Sequence, residues 1–213
     1  GENPLFRNVQ MLLGWPRKEH FDHYLRQVPC TYSAVFKLDV SLLRAKKAKF
    51  FPTVLHCLSS VVNHHPEFRM SFDSSGKVGY FEVAHPCFTI FHKDTETFSN
   101  LWTEYSPDLA TFCETYEANL NRYGNCHKME ARPDTPENTF PVSCLPWASF
   151  GSFQLNLPKS YSYLLPIFTL GKFYEENGKT LLPLAIQVHH AVCDGFHLCR
   201  FVNELQDLFN DAK

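Results

Sequence analysis

Two runs rich in β-branched, aromatic and aliphatic residues, Pro166 to Tyr174 and Thr180 to Val188, are joined by Glu-Glu-Asn-Gly-Lys, and this pairing constrains the chain more than any other feature. Asn177-Gly178 is the favoured dipeptide for a tight turn with positive φ at both central positions, so the runs are expected to fold back as an antiparallel hairpin. The second run leads directly into His189-His190. Beyond Ala-Val-Cys-Asp-Gly, the residues Phe196, Phe201, Val202, Leu205, Leu208 and Phe209 recur at helical spacing, with Asp194 placed as cap or first-turn carboxylate. The two histidines therefore stand on a strand-to-helix junction, a place where sites are commonly built.

The rest of the chain alternates in the same manner. Ser33 to Val40, Val78 to Val83 and Phe88 to His92 read as strands. Phe51, Val54, Leu55, Leu58, Val61 and Val62 form a helical face that begins beside Pro52, tolerated in a first turn, and stops at Pro66. A second helix has Ser106 as cap, Pro107 in its first turn, Leu109, Phe112, Cys113, Tyr116 and Leu120 on one face, and Gly124 at its end. Strands interrupted by amphipathic helices, with at least one hairpin, predict an α/β (α+β) domain: a two-layer sandwich of a mixed sheet covered by helices. The 213 residues contain no Gly-, Ser- or Pro-rich linker and no repeat, so residues 1–213 read as one domain. That is enough chain to bury its own core, and size alone does not force oligomerisation.

Several functions are excluded at this level. Lys and Arg number 20 against 22 Asp and Glu, a net charge of −2, and no dense run of one sign exceeds the short stretch from Arg44 to Lys49. General nucleic-acid binding has no electrostatic basis here. With 44% apolar residues, 20 Phe among them, the composition is that of a globular chain. The longest apolar stretches, such as Leu181 to Val188, fall far short of the ~20 residues a membrane span requires. The start, Gly-Glu-Asn-Pro-Leu-Phe-Arg-Asn, has no basic segment followed by an apolar block, so export is not indicated. Eight cysteines, at 30, 57, 87, 113, 126, 144, 193 and 199, contain no Cys-x-x-Cys pair and suit reduced thiols in a cytoplasmic protein.

Two His-His pairs invite comparison. His64-His65 closes a helix before Pro66, the setting of a solvated helix end. His189-His190 is followed by Ala-Val-Cys-Asp-Gly-Phe-His and allows three readings. As a metal site, His189, His190, Cys193, Asp194 and His197 have suitable chemistry, but adjacent strand residues point to opposite faces, so the two histidines converge poorly on one ion. As a structural feature, one histidine satisfies its nitrogens in the core while Asp194 caps the helix. As a general base, a neutral imidazole, with an ordinary pKa of about 6.5, can take a proton from a hydroxyl at neutral pH.

The segment from His189 to His197 closely resembles the His-His-x-x-x-Asp-Gly signature of chloramphenicol acetyltransferases, which move an acetyl group from acetyl-CoA to a hydroxyl of the antibiotic. Further blocks follow in that family's order: Trp15-Pro16-Arg17-Lys18-Glu19-His20-Phe21, the stretch His64 to Met70, Thr95-Glu96-Thr97-Phe98-Ser99, Pro136-Glu137-Asn138 and Ser143-Cys144-Leu145-Pro146-Trp147. Coverage runs from about Trp15 to the C-terminus. The acyltransferase cores of 2-oxo acid dehydrogenase complexes share a similar His-x-x-x-Asp-Gly, and the Trp-x-Arg-Lys-Glu-His-Phe block separates the two.

The resemblance implies a CoA-dependent acyltransferase-like fold and assigns roles by position. His190 is the expected general base for direct attack of the acceptor hydroxyl on the thioester, with no acyl-enzyme. Ser143 is the expected oxyanion donor, and Asp194 with Arg17 a structural tether for the histidine loop. His189 is expected to be a hydrogen-bonded structural residue and His197 a helix side chain without assigned chemistry. Lys172, Lys49 and Trp147 match positions near coenzyme A; Tyr24, Cys30, Phe153, Leu155, Ile167 and Thr169 match positions lining the antibiotic pocket. Glu130 and His23 depart from the apolar residues found there in other members. No metal and no tightly bound cofactor is implied, acetyl-CoA being a co-substrate, and members are homotrimers with each site at a subunit boundary. Two other readings of the same cleft are acyl transfer to a different hydroxyl or thiol acceptor, and a non-catalytic trimer that binds a small ligand.

Overall fold

A computed structural model describes residues 6–8, 14–46, 49–158 and 162–211. The leading Gly-Glu-Asn-Pro-Leu and Lys47 of the basic stretch lie outside the described residues. In chain order the elements are β1 (Phe6–Asn8), α1 (Lys18–Asp22), a π-helical turn (His23–Gln27), β2 (Thr31–Asp39), α2 (Ser41–Ala45) and α3 (Phe50–His64). There follow a 3-10 turn (Pro66–Phe68), β3 (Met70–Phe72), β4 (Val78–Phe81), β5 (His85–His92), β6 (Thr97–Trp102), α4 (Leu109–Tyr123) and β7 (Thr139–Leu145). The chain continues with β8 (Ile167–Gly171), β9 (Tyr174–Glu176), β10 (Lys179–His189) and α5 (Gly195–Asn210).

The main sheet has the order β2-β10-β8-β7-β5-β6, with β9 hydrogen-bonded to β10, and β1-β4-β3 form a small separate sheet. β7 runs parallel to both β5 and β8, whereas β10 pairs antiparallel with β2, β8 and β9, so the sheet is mixed as the sequence predicts. The hairpin forms at Asn177 (φ 52°) and Gly178 (φ 76°), the two positive angles that its turn demands. The run Pro166 to Tyr174 is not one strand, however. The Lys172 amide donates to Ala148 O (2.9 Å), which breaks the ladder after Gly171, and pairing with β10 resumes only at Tyr174.

Other boundaries shift for local reasons. α4 is capped by Asp108 rather than Ser106, because the Asp108 carboxylate accepts the Thr111 amide at 2.9 Å while Ser106 Oγ accepts the Asp108 amide at 3.3 Å. Of the first His-His pair only His64 is a solvated end, being exposed. His65 Nε2 lies 2.6 Å from Glu204 of α5, and its side chain is largely buried between the two helices.

The helices cover one face of the sheet. Val54, Leu55, Leu58, Phe112, Phe201 and Leu205 pack in one apolar cluster with Phe88, Phe140, Val142, Phe168, Leu170, Leu184 and Ile186. Phe168 is the hub: it is fully buried, with ring centroids 5.7 Å from Phe140 and 5.4 Å from Phe201. The opposite face carries Cys87, Thr89, Pro141, Ser143, Thr169, Ala185 and Gln187. Over it the segment 149–158 is tied down by Ser33 Oγ donating to Phe153 O (2.6 Å) and by Gln187, whose amide both accepts from Leu155 N (2.8 Å) and donates to Leu155 O (2.9 Å).

Removing the hub tests this packing. Phe168→Ala leaves a cavity between β7, β8 and α5 and should cost about 3–5 kcal/mol of unfolding free energy in a denaturant titration. A loss below about 1 kcal/mol would mean that the helical layer does not depend on this contact.

Candidate active site

The junction after β10 is built from backbone bonds first. The His190 amide donates to Cys30 O (2.9 Å), extending the β2 pairing by one residue past His189. The chain then turns sharply: Val192 N and Cys193 N both donate to His189 O (3.1 Å each), and Ala191 N donates to His189 Nδ1 (3.0 Å). His189 is buried, and its ring serves the turn. Tyr32 closes the far side by donating its hydroxyl to Cys193 O at 3.1 Å; burial pushes the Tyr32 phenol and the Cys193 thiol well up, so both stay neutral.

Arg17 holds the front of this turn. It sits at the N-terminus of α1, at the start of the helix rather than within it, and its guanidinium reaches across to three residues of the loop. Nη1 and Nη2 grip Asp194 Oδ2 and Oδ1 at 2.8 and 2.7 Å, Nη2 also donates to His190 O (2.6 Å), and Nε donates to Ala191 O (2.8 Å). The planar fork matches the carboxylate bidentately and leaves donors for both carbonyls, a geometry that a lysine cannot reproduce. The same pairing holds the Asp194 carboxyl below the usual carboxylate range, against an opposing contribution from burial.

His190 is presented by this clamp. Its ring stacks on Tyr24 at 3.7 Å between centroids and 11° between planes, and meets the edge of Tyr32 at 5.3 Å. The π-helical turn after α1 brings Tyr24 to that position, and His23 packs edge-on behind it at 4.8 Å while bonding Gln27 (3.0 Å). His190 Nδ1 is buried 3.2 Å from Asp194 Oδ1 but off the line of a hydrogen bond, so the carboxylate acts on the ring electrostatically. About a quarter of the side chain (27%) remains exposed, enough to offer one edge to a ligand. Cys30 borders the same place, its thiol 3.8 Å from Thr31 O.

Ser143 stands elsewhere, on the helix-free face of the sheet. Its Oγ lies 3.0 Å from Thr169 Oγ1, its register partner on β8, and 3.4 Å from Phe168 O. Phe153, Leu155, Ile167 and Thr169 line a narrow crevice on this face with Ser33 and Gln187. Further along, a cavity of about 500 Å³ is lined by Cys87, Asn100, Pro141 and Tyr163 and by Glu130, whose carboxylate accepts from Asn100 Nδ2 (2.9 Å) and Thr135 Oγ1 (3.2 Å).

Phe173 and Phe50, the chain neighbours of Lys172 and Lys49, meet edge to face with ring centroids 5.6 Å apart. Lys49 is ion-paired with Glu117, and Trp147 is exposed against Phe91, ring centroids 4.8 Å apart. These are groups able to receive phosphates and an adenine ring.

Within one chain the expected residues therefore fall into two sets. Arg17, Tyr24, Cys30, His190 and Asp194 form one, and Ser143, Thr169, Ile167, Phe153 and Leu155 the other. Ser143 aligns through Thr169 with Ala185 on β10. His190 lies two strands over and five residues further along, about 20 Å away at ordinary strand spacing and rise. Sequence reasoning did not reach Tyr32 or Gln187; a buried glutamine that fastens the segment over the sheet was signalled only by being the one polar residue between Leu181 and Val188. Among the described residues, no group of three or more His, Cys, Asp or Glu is arranged to hold a metal ion.

The family model for chloramphenicol acetyltransferase matches residues 6–206. A chloramphenicol acetyltransferase of Vibrio anguillarum is 58% identical over 98% of this chain and 96% of the relative. One of Campylobacter coli is 55% identical over 92% and 95%. Among solved structures, a chloramphenicol acetyltransferase superposes with a TM-score of 0.78 at 24% identity, covering 92% of this chain and 95% of its own. A dihydrolipoamide acetyltransferase of Azotobacter vinelandii gives 0.67 at 17%, covering 100% and 92%, a likeness of fold alone.

The tether has a pH signature. Asp194 titrates lower in the folded chain than in the unfolded one, so its contribution to stability is present above the ordinary carboxylate pKa of about 4 and is lost as pH falls through the folded value. Asp194→Asn should therefore unfold at lower urea than the parent at neutral pH, with the gap closing on acidification below about pH 4. An undiminished gap at about pH 3 would place the effect elsewhere.

Proposed function

The chain belongs to the chloramphenicol acetyltransferase family, and from that premise we propose that it transfers the acetyl group of acetyl-CoA to a hydroxyl of chloramphenicol, with His190 as general base, at sites shared between subunits of a cytoplasmic homotrimer. Residues 1–213 act in it as one domain, and no tightly bound cofactor or metal takes part. The single observation that carries the reading is the clamp of Arg17 on Asp194 and on the His190 and Ala191 carbonyls, which fixes one imidazole edge at an otherwise enclosed turn.

The steps follow from the groups present. The Asp194 carboxylate beside Nδ1 favours the tautomer with its proton on that nitrogen, leaving the Nε2 lone pair for the acceptor hydroxyl. As Nε2 takes the proton, the hydroxyl oxygen bonds to the thioester carbonyl carbon and its π electrons move to oxygen. Ser143 stabilises that oxyanion: with Thr169 donating to Ser143 Oγ, the serine proton turns from its long 3.4 Å bond to Phe168 O toward the developing charge. Collapse breaks the C–S bond, and the imidazolium returns its proton to the departing thiolate. Lys49, Lys172 and Trp147 suit the donor's phosphates and adenine, and the apolar side chains of Phe153, Leu155 and Ile167 suit one wall of a site for a flat neutral acceptor.

The shared site is supported by the separation of His190 and Ser143 in one chain, about 20 Å at ordinary strand spacing and rise, too far for both to touch one reacting centre. It is supported also by the surface that would meet a second copy. Phe91, Phe98, Trp147 and Leu155 are exposed large apolar side chains on or beside the helix-free face. The polar pair Glu130 and Asn100 in the adjoining cavity favours a second reading, acetyl transfer to an acceptor richer in hydrogen-bond donors, and a panel of acceptors decides between them.

The direct test mixes protein, acetyl-CoA and chloramphenicol and follows free CoA with a thiol reagent; no antibiotic-dependent release would sink the substrate assignment. His190→Ala should abolish turnover, and Ser143→Ala should lower kcat by about 10²–10³. Near-normal kcat in either contradicts its role. Unfolding and refolding the two variants together should restore about a quarter of the parent activity, since in mixed trimers one boundary in four pairs an intact His190 with an intact Ser143. No recovery would put both residues in one chain's site.

A further inference from the structure

α5 opens on a capping box: the Asp194 side chain is set against the backbone of His197, and the His197 side chain against the backbone of Asp194. Asp194 is its N-cap residue, and a carboxylate there ordinarily accepts the amides of the first turn. Both carboxylate oxygens also accept from Arg17, at 2.8 and 2.7 Å, and the Asp194 amide itself needs a partner. His197, three residues on, supplies it: Asp194 N donates to His197 Nδ1 at 2.9 Å. Glutamate or glutamine is the usual residue for this reciprocal contact, and an imidazole in its place is a departure with a reason. A glutamate would set a second carboxylate beside Asp194 and compete for the guanidinium.

We propose that His197 is a positioning residue for the acetyl transfer: by accepting the Asp194 amide it fixes the start of α5 and, with it, the carboxylate that meets Arg17 and the His190 ring. The role requires an unprotonated Nδ1. Burial holds the His197 imidazole below its ordinary pKa, and the charges facing it, Glu67, Arg17, Asp194 and Arg200, are of both signs. Phe196 packs edge-on against the ring at 5.5 Å. The chain of dependence is short: His197 holds the Asp194 backbone, Asp194 anchors Arg17, and Arg17 holds the His190 carbonyl.

The inference rests on His190 being the base, and the test separates the two. His197→Leu, His197→Gln, His197→Glu and His190→Ala are assayed together for kcat, both KM values and melting temperature. His197→Leu should lose about tenfold in kcat, the rate equivalent of one hydrogen bond, with KM values changed by less than about twofold. Gln, a neutral acceptor, should recover most of that rate. Glu should recover the melting temperature, being the better helix cap, but not the rate. A Glu variant as active as the parent, or a Leu variant with unchanged kcat, would reduce His197 to an ordinary cap and overturn the proposal. If the Leu variant does not fold, the contrast between Gln and Glu still decides. Turnover surviving in His190→Ala would instead remove the base assignment, whatever position 197 does.

Discussion

The Arg17 guanidinium is the constraint on which the site depends. A strand that ends and a helix that begins within five residues leave carbonyls at 190 and 191 and a carboxylate at 194 pointing the same way, and nothing local can satisfy all three. One planar cation with five donors can, and it is delivered from the other end of the chain by a one-and-a-half-turn helix. Its side chain is largely enclosed, so the pairing is shielded from competing water. Tyr32 on the opposite side and Cys30 beneath complete a turn in which every amide from 190 to 194 has an acceptor: Cys30 O, His189 Nδ1, His189 O twice, and His197 Nδ1. A loop so fully bonded carries its one partly exposed ring, His190, in a fixed attitude.

The sheet divides the remaining labour. Its covered face is close-packed with phenylalanines and aliphatic residues against α3, α4 and α5. Its other face carries hydroxyls, a thiol and an amide at alternate positions along neighbouring strands: Cys87, Thr89, Ser143, Thr169 and Gln187. Placing Ser143 on a central strand, flanked by parallel neighbours, gives it the rigidity an oxyanion donor requires. The cost is distance from His190, because the loop that holds the histidine lies at the sheet's far corner. Two rigid half-sites on one chain are useful only if a second copy brings them together. In the proposed trimer that geometric separation becomes the reason for the assembly.

Much of this was legible in the sequence where local chemistry decides. Asn177-Gly178 announced its hairpin, periodicity located α3, α4 and α5, and the apolar run into His189-His190 located the junction. What was not legible depended on bonds between distant segments. The Lys172 amide leaves its ladder for Ala148, which no local pattern records, and so one expected strand became two. His65 was read as a solvated end because its partner, Glu204, lies 139 residues away. Composition could not distinguish the phenylalanines that fill the core, such as Phe168, from those such as Phe91 that stand exposed on the open face. The pairing of Arg17 with Asp194 came from resemblance, since neither residue on its own betrays a partner 177 positions away.

The position of Asp194 also fixes what it can contribute to the proposed chemistry. A carboxylate 3.2 Å from an imidazole nitrogen invites the notion of a proton relay, in which the aspartate takes up the proton the ring has gathered. Arg17 argues against it. Both oxygens already accept short charge-assisted bonds from the guanidinium, the carboxyl is held below its ordinary range, and its contact with Nδ1 is off-axis. Protonating it would break the pairing that keeps the loop in place, so the aspartate stays ionised through turnover and orients the ring's dipole. In the proposed reaction the proton from the acceptor hydroxyl then has only the His190 ring to rest on. It must leave by the nitrogen through which it came, toward the thiolate that the same ring faces.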